Sequence, residues 1–315
     1  MEINNMSTHI QHPAMRLQIA PIATTPPESV DGFLKLRDWQ VRCLDELRGS
    51  RQFIINAPMA SGKSLEICAL ASWWLAEDSS LKVIIAVPQT NIADGFRRNR
   101  IALPDGDRVE WAIKECHDLC RQSPKSSTAH LLGFLHAAAH PSLNPMDRVL
   151  LCTHSTLVRA FKTDPAVFKN VLIVIDEAHH VRHSVEDGVT AATQNQMGAL
   201  VAFALQKPDT ITLGLTTATF FRGDCLPIVP DVSKFTRFNL AYDEFLGTCQ
   251  HLRSFSYDFI IQADFFTPVK RLFQERIGKT LVYIPFVNSS YSIGTSALAR
   301  IYPPVLSKID PGILN

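Results

Sequence analysis

Five short apolar runs, separated by polar segments, dominate the hydrophobic pattern of the chain. They lie at residues 53–55, 83–87, 149–152, 171–175 and 211–215, and each leads into a stretch that can be helical. Short apolar runs bounded by polar residues are typical of buried strands. Strands that alternate with helices predict an α/β fold in which helices cover both faces of a mainly parallel sheet.

Two segments differ from this alternation. Residues 1–33 mix Asn, Gln, His, Thr and Pro without an apolar run behind a positive start, which predicts a poorly ordered arm and argues against a signal peptide. Residues 103–147 lack a strong strand pattern and contain a predicted helix at 128–139. We interpret them as an insertion within a first lobe that spans residues 34–224.

The pattern becomes irregular after residue 224. Residues 225–250 contain Pro227 and Pro230 and are predicted to form a linker. Residues 251–315 include a strand-like run at 280–284 and are predicted to begin a second α/β lobe that remains incomplete.

Composition narrows the class of protein. The 315 residues allow about two domains, and no apolar run approaches the about 18 residues that cross a membrane, so no membrane partner is expected. Lys and Arg total 31 against 30 Asp and Glu, so a nucleic-acid partner must be argued from local sites rather than from a basic surface. Seven scattered cysteines predict reduced thiols and a cytoplasmic protein.

The run at 53–55 leads into a phosphate-binding loop pattern that departs from the usual one only in its first glycine, where Ala57 stands. Backbone N–H groups at a helix start can bind phosphate oxygens, Lys63 can reach the β- and γ-phosphates, and the Ser64 hydroxyl can coordinate magnesium. The pattern therefore predicts ATP and Mg²⁺ as cofactors. The predicted nucleotide-binding residues are Ala57, Pro58, Met59, Ala60, Ser61, Gly62, Lys63 and Ser64.

An acidic tetrapeptide, Asp176-Glu177-Ala178-His179, follows the apolar run at 171–175. Ligands of open α/β sheets bind at the carboxyl ends of the strands. Asp176 is predicted to hold magnesium, and Glu177 to orient or deprotonate the attacking water. With Lys63, these two acids are the predicted catalytic residues.

These motifs, in this order, resemble those of the superfamily-two helicases. The resemblance implies a P-loop RecA-like three-layer sandwich, with Gln40 reading adenine and His179 completing the nucleotide site. It also implies nucleic-acid contacts by two segments and coupling of hydrolysis to lobe movement by a third. The contact residues are Pro88, Gln89, Thr153, Ser155 and Thr156, and the coupling residues are Thr217, Ala218 and Thr219.

The stretch from Gly214 to Asp224 is similar to the helicase lobe of restriction-enzyme translocases, which implies DNA more than RNA as the substrate. The family's second lobe supplies an arginine finger, and no arginine-rich motif is visible after Lys279, where Arg300 stands alone. Two hypotheses follow. The chain is a DNA helicase or translocase, or it is a nucleotide- and nucleic-acid-binding module that needs a partner chain for the finger.

Two further sets of residues allow alternative interpretations. Cys116, Cys120, His136 and His140 have a spacing near that of a zinc site, but the same spacing arises when such residues line a packing face. The basic cluster of Arg97, Arg98 and Arg100 either meets phosphates or forms a solvated face.

Overall fold

The computed structural model describes residues 28–121, 124–138, 144–181, 196–219, 227–229 and 231–247. All of them belong to one of the two compact units into which the chain divides, Pro21–Leu252. The predicted second lobe and residues 1–27 of the predicted arm lie outside the described residues. None of the helices in the described segments is long and apolar enough to cross a membrane.

A six-stranded sheet forms the centre of this unit, and every neighbouring pair of its strands is parallel. The predicted α/β fold with a mainly parallel sheet is therefore confirmed, and the five predicted apolar runs are five of its strands. In spatial order the strands are β10 (Thr236–Asn239), β3 (Gln52–Asn56), β9 (Ile211–Thr217), β8 (Val171–Ile175), β4 (Lys82–Val87) and β7 (Val149–Thr153).

Helices cover both faces of this sheet. Successive side chains of a strand point to opposite faces, so Ile55 joins one apolar core and Ile54 the other. Helices on both faces make three layers. The first core receives buried residues of α1 (Asp38–Leu47), α2 (Lys63–Glu77) and the short α3 (Asp94–Arg97), and the second receives those of α4 (Pro124–His136), α5 (His154–Thr163) and α6 (Gln196–Leu205).

A second, four-stranded sheet lies beside the first and was not predicted. Its order is β1 (Ser29–Val30), β2 (Phe33–Lys35), β5 (Arg98–Ala102) and β6 (Arg108–Ala112). Strand β1 falls in the predicted arm and β6 in the predicted insertion, whereas β5 lies just before the insertion. Charged residues interrupt β2, β5 and β6, so no apolar run marks these strands. Trp111 of β6, 1% exposed, supplies one of its few buried side chains.

The predicted linker at 225–250 also contains regular structure. Strand β10 pairs in parallel with β3, and α7 (Tyr242–Gly247) follows it. An edge strand needs only one buried side chain here, Phe238, which is why its sequence lacks an apolar run.

The helix predicted at 128–139 is present as α4, which begins earlier and ends at His136. The Lys82 ammonium group donates hydrogen bonds to the carbonyl oxygens of Phe134, Leu135 and Ala137 at the end of this helix. A positive charge at a helix C-terminus satisfies carbonyls that have no partner inside the helix. A side chain from the central sheet therefore anchors the insertion.

Candidate active site

The predicted site residues gather at one edge of the central sheet. The phosphate loop follows β3, the acidic tetrapeptide follows β8, and the coupling segment is the end of β9. Because these strands are parallel neighbours, their carboxyl ends meet at this edge. The backbone N–H of Ala57 donates to the carbonyl of Thr217 over 3.0 Å and joins the loop directly to the coupling segment.

The phosphate loop contains two left-handed residues. Gly62, at φ +104°, precedes Lys63, the first residue of α2. Glycine adopts this conformation without steric cost. Ala60, at φ +61°, has a β-carbon and is strained in this region by roughly 1–2 kcal/mol. Met59, which directly precedes Ala60, is 72% exposed.

Lys63 is folded back onto the loop. Its Nζ donates to the carbonyl oxygens of Ala57 and Pro58 over 2.9 and 3.1 Å, and the residue is only 8% exposed. Burial lowers the pKa of Lys63, and the negative charges of Glu177 and Asp176 oppose that shift. The ammonium group therefore lies within the field of both acids.

Asp176 is almost fully buried at the end of β8. Its Oδ1 accepts a hydrogen bond of 2.6 Å from the Thr216 hydroxyl on the neighbouring strand. Burial raises the pKa of Asp176, while the hydrogen bond from Thr216 opposes the rise. His154, which follows β7, places Nε2 2.8 Å from the carbonyl oxygen of Asp176.

Glu177 adopts the left-handed conformation, with φ +52°. A non-glycine residue in this region costs of order 1–3 kcal/mol and is found mostly at functional sites. One of its carboxylate oxygens lies 3.2 Å from Nδ1 of His179. The strained turn separates the two acids, because Asp176 faces Thr216 while Glu177 faces His179.

Gln40 connects α1 to the phosphate loop. Its Oε1 accepts from the backbone N–H of Arg37 at 2.8 Å, and its Nε2 donates to the carbonyl of Gly62 at 3.0 Å. The residue is 1% exposed. The observed contact of Gln40 is therefore with the phosphate loop. Its amide retains one further donor and one further acceptor. The predicted reading of adenine stays a prediction.

The coupling residues form a local turn. The Thr217 hydroxyl donates to the Thr219 carbonyl over 2.7 Å and accepts from the Thr219 N–H over 3.2 Å. Ala218 lies between them and is half-buried. The turn places these residues beside the phosphate loop, and their role in coupling stays a prediction.

The predicted nucleic-acid contacts differ in exposure. Gln89 and Ser155 are exposed, and Pro88 and Thr153 are half-buried. Thr156 is only 3% exposed, and the hydroxyl groups of Thr153 and Ser127 and the guanidinium of Arg159 surround its own hydroxyl. Thr153 caps α5 by accepting a hydrogen bond from the backbone N–H of Thr156, and the Thr156 side chain is buried. The nucleic-acid contact predicted for Thr156 stays a prediction.

The three arginines of the basic cluster have different environments in the structure. Arg97 is bound to Asp118 at 2.6 Å and also to Asp94, so it serves packing rather than phosphate binding. Arg100 stacks on the ring of Phe33, with 4.1 Å between its guanidinium carbon and the ring centroid. Arg98 is exposed.

No group of three or more His, Cys, Asp or Glu side chains suited to a metal occurs in the described part of the chain. Of the zinc candidates, Cys116 is exposed and Cys120 buried. His136 lies 3.8 Å from Asp164, and His140 is outside the described residues.

Sequence reasoning missed three residues at this edge: Thr216, His154 and Gly95. Thr216 and His154 lie within predicted segments, and Gly95 lies after one. A contact between separate strands or helices leaves no trace in the local pattern. Gly95 lies close to the Ser64 side chain.

Comparison with known proteins agrees with the motifs. Residues 33–222 match the family described as "Type III restriction enzyme, res subunit". Over 260 residues the chain is 29% identical to the "Putative ATP-dependent helicase YeeB" of Bacillus subtilis (strain 168). That alignment covers 82% of this chain but 40% of YeeB, so the chain spans less than half the length of this relative.

Solved structures of helicases show weaker likeness. The Hef helicase domain of Pyrococcus furiosus aligns with a TM-score of 0.42 and 15% identity, over 66% of this chain and 39% of that one. The UvsW helicase of bacteriophage T4 aligns with a TM-score of 0.41 and 18% identity, over 69% and 63%. The family match covers more than half of the chain and carries the conclusion. The chain belongs to the type III restriction enzyme res-subunit family of superfamily-two helicases.

Proposed function

We propose that the described unit binds ATP with Mg²⁺ and hydrolyses it to drive movement along a nucleic acid, with DNA as the preferred substrate. The observation that carries this proposal is that the phosphate loop after β3, with Lys63 folded back onto it, and the two acids after β8 come to the same edge of the parallel sheet. A magnesium nucleotide requires a lysine for its phosphates and an acidic residue for its metal at one site.

The donor set fits Mg²⁺, because a hydroxyl and a carboxylate are oxygen ligands of the kind this ion prefers. Ser64 and Asp176 would hold it. When bound, the ion would neutralise charge on the phosphates. Lys63 would exchange the carbonyls of Ala57 and Pro58 for phosphate oxygens, and Glu177 would accept a proton from the attacking water.

The preference for DNA rests on the restriction-type pattern from Gly214 to Asp224 and on the family to which the chain belongs. Exposed Gln89 and Ser155, at the ends of β4 and β7, are the contact residues that we propose. Because β4 and β7 are neighbours, both lie on the same edge as the nucleotide site. A strand bound there would lie close to the phosphate loop.

We propose that the arginine finger comes from outside the described residues, from a further part of a longer protein or from a partner chain. The limited coverage of YeeB supports this, because 60% of that relative lies outside the alignment. An arginine finger contributes roughly 10³- to 10⁵-fold in rate. The 315-residue chain is therefore expected to bind ATP well and to turn it over slowly, without separating strands.

The test is titration of the chain with a fluorescent ATP analogue, for the parent and for Lys63→Ala. The substitution should abolish most of the affinity, because it removes the side-chain cation of the loop. Lys207→Ala, at an exposed lysine after α6, is the matched control and should bind as the parent does. Equal affinity in Lys63→Ala and the parent would refute the nucleotide site.

The nucleic-acid part is tested separately, by binding of single-stranded DNA and RNA at increasing salt. Release of counterions makes such affinities fall steeply with salt. Affinity for neither polymer at low salt would refute this half of the proposal. Equal affinity for both would refute the preference for DNA.

A further inference from the structure

A short helix after β4 lies directly on the residue proposed to hold magnesium. This helix, α3 (Asp94–Arg97), contains Gly95. A β-carbon added at Gly95 would lie 3.1 Å from the Ser64 hydroxyl oxygen and 3.2 Å from its Cβ. These distances are tighter than most contacts of a β-carbon, so an alanine at this position would push against the Ser64 side chain.

Several contacts hold α3 in this position. The Asn99 amide donates to the carbonyl of Gly95 over 2.9 Å and lies 3.5 Å from the sulfur of Cys68, which belongs to the same helix as Ser64. Phe96 is fully buried, and its carbonyl accepts a hydrogen bond of 2.6 Å from the indole of Trp111. The position of Gly95 is therefore fixed from both sides.

The same helix is continuous with the proposed strand-contacting segment. The backbone N–H of Ile92 donates to the Gln89 carbonyl, and that of Phe96 to the Ala93 carbonyl, so successive tight turns connect residues 89 and 96. Ala93 is fully buried between them. The connection from Gln89 to Gly95 is therefore short and held by hydrogen bonds at each turn.

We propose that Gly95 is a positioning residue through which the Pro88-Gln89 segment acts on Ser64, so that a bound strand changes the affinity of the phosphate loop for a magnesium nucleotide. This inference rests on the proposed function. The inference adds to that function a physical contact between the proposed strand-binding segment and the hydroxyl proposed to bind magnesium. By linkage, a magnesium nucleotide changes the affinity for the strand by the same factor.

The experiment measures the affinity of a fluorescent, non-hydrolysable ATP analogue with and without a single-stranded oligodeoxynucleotide, in Mg²⁺ and in EDTA. The ratio of the two affinities in Mg²⁺ is the coupling factor, expected to be about five-fold or more in the parent. In Gly95→Ala this factor should fall to one. Binding of the analogue in EDTA, and of the oligodeoxynucleotide without nucleotide, should remain as in the parent.

Two further variants separate positioning from a general structural defect. Gly133→Ala makes the same change on α4, where an added β-carbon would contact nothing within 4 Å, and it should keep the parental coupling factor. Asn99→Ala adds no atoms but releases the Gly95 carbonyl, and it should also lower the coupling factor. If Gly95→Ala fails to fold, Asn99→Ala decides the question.

The outcomes distinguish the inference from the proposed function. A parent that binds the analogue and the oligodeoxynucleotide without coupling, or variants at Gly95 and Asn99 with the parental factor, would overturn the inference and leave the proposed function intact. A parent that binds neither ligand would overturn both. Loss of coupling in both variants, with the control unchanged, supports the inference.

Discussion

The Thr216 hydroxyl donates a hydrogen bond of 2.6 Å to Oδ1 of Asp176, across two neighbouring strands of the central sheet. Both residues are buried, so the bond forms where water cannot replace it. A buried carboxylate without such a donor would carry a large desolvation cost. Thr216 therefore helps to keep Asp176 ionised at the place where a magnesium ligand is proposed.

Thr216→Val is expected to raise the pKa of Asp176 further, because it removes the donor that opposes the effect of burial. Since the ionised form would bind Mg²⁺, the acidic limb of Mg²⁺-dependent nucleotide binding should move to higher pH. Stability should fall by about 1–3 kcal/mol. Titrations of the ATP analogue between about pH 5 and pH 8 measure the shift.

Thr212→Val is the matched control for this prediction. Thr212 lies on the same strand and is equally buried, and its hydroxyl accepts a hydrogen bond of 3.5 Å from the Arg51 guanidinium. It should lose stability without moving the pH profile. Identical profiles for both variants would show that Thr216 only packs.

The burial of Glu66 predicts that the free energy of unfolding depends on pH. Glu66 lies one turn into α2 and is fully buried beside the thiol of Cys43. Burial raises its pKa from 4.5 to about 8, although contact with the Cys43 thiol opposes part of the rise. The unfolded chain ionises from pH 4.5 upward while the folded chain stays protonated until about pH 8.

The sign follows from that difference. Glu66 favours the folded state least at high pH, so the free energy of unfolding should fall by about 1.4 kcal/mol for each pH unit in this window. Glu66→Gln should remove this contribution and flatten the profile, as measured by denaturant unfolding. Glu77→Gln, at an exposed position of the same helix, should leave the slope unchanged.

Ala60→Gly should relieve the left-handed strain of the phosphate loop. Relief of the strain should raise the free energy of unfolding by roughly 1–2 kcal/mol. The greater freedom of glycine in the unfolded chain should lower it by roughly 0.4–1 kcal/mol. We therefore expect a melting temperature equal to or above that of the parent. Ala76→Gly, at an exposed position near the end of α2, makes the same change in helical backbone and should lower the melting temperature.

Glu177→Gln should keep the binding of the magnesium nucleotide and abolish the turnover that the parent shows. The amide preserves the shape of the side chain and cannot accept the proton of water. Phosphate release, measured alongside binding of the ATP analogue, separates the two effects. Turnover at the parental rate would remove Glu177 from the role of base.

The predictable part of the fold is the part that is buried on two faces. The run at 171–175 is a central strand with five buried residues, and a strand of this kind needs apolar side chains throughout. By contrast, β6 and β10 each bury few side chains, so their sequences resemble loops. For this reason, strands occur in the predicted arm, insertion and linker, where the sequence pattern indicated none.

The local sequence by itself determined the phosphate loop, the acidic tetrapeptide and their order, because each depends on neighbours along one strand–loop–helix unit. Only the tertiary structure decided that Thr216 bonds to Asp176, that Thr156 faces inward, and that Gly95 touches Ser64. These relationships join separate strands and helices at the edge of a parallel sheet. Their geometry depends on the register between elements, which no local pattern of side chains specifies.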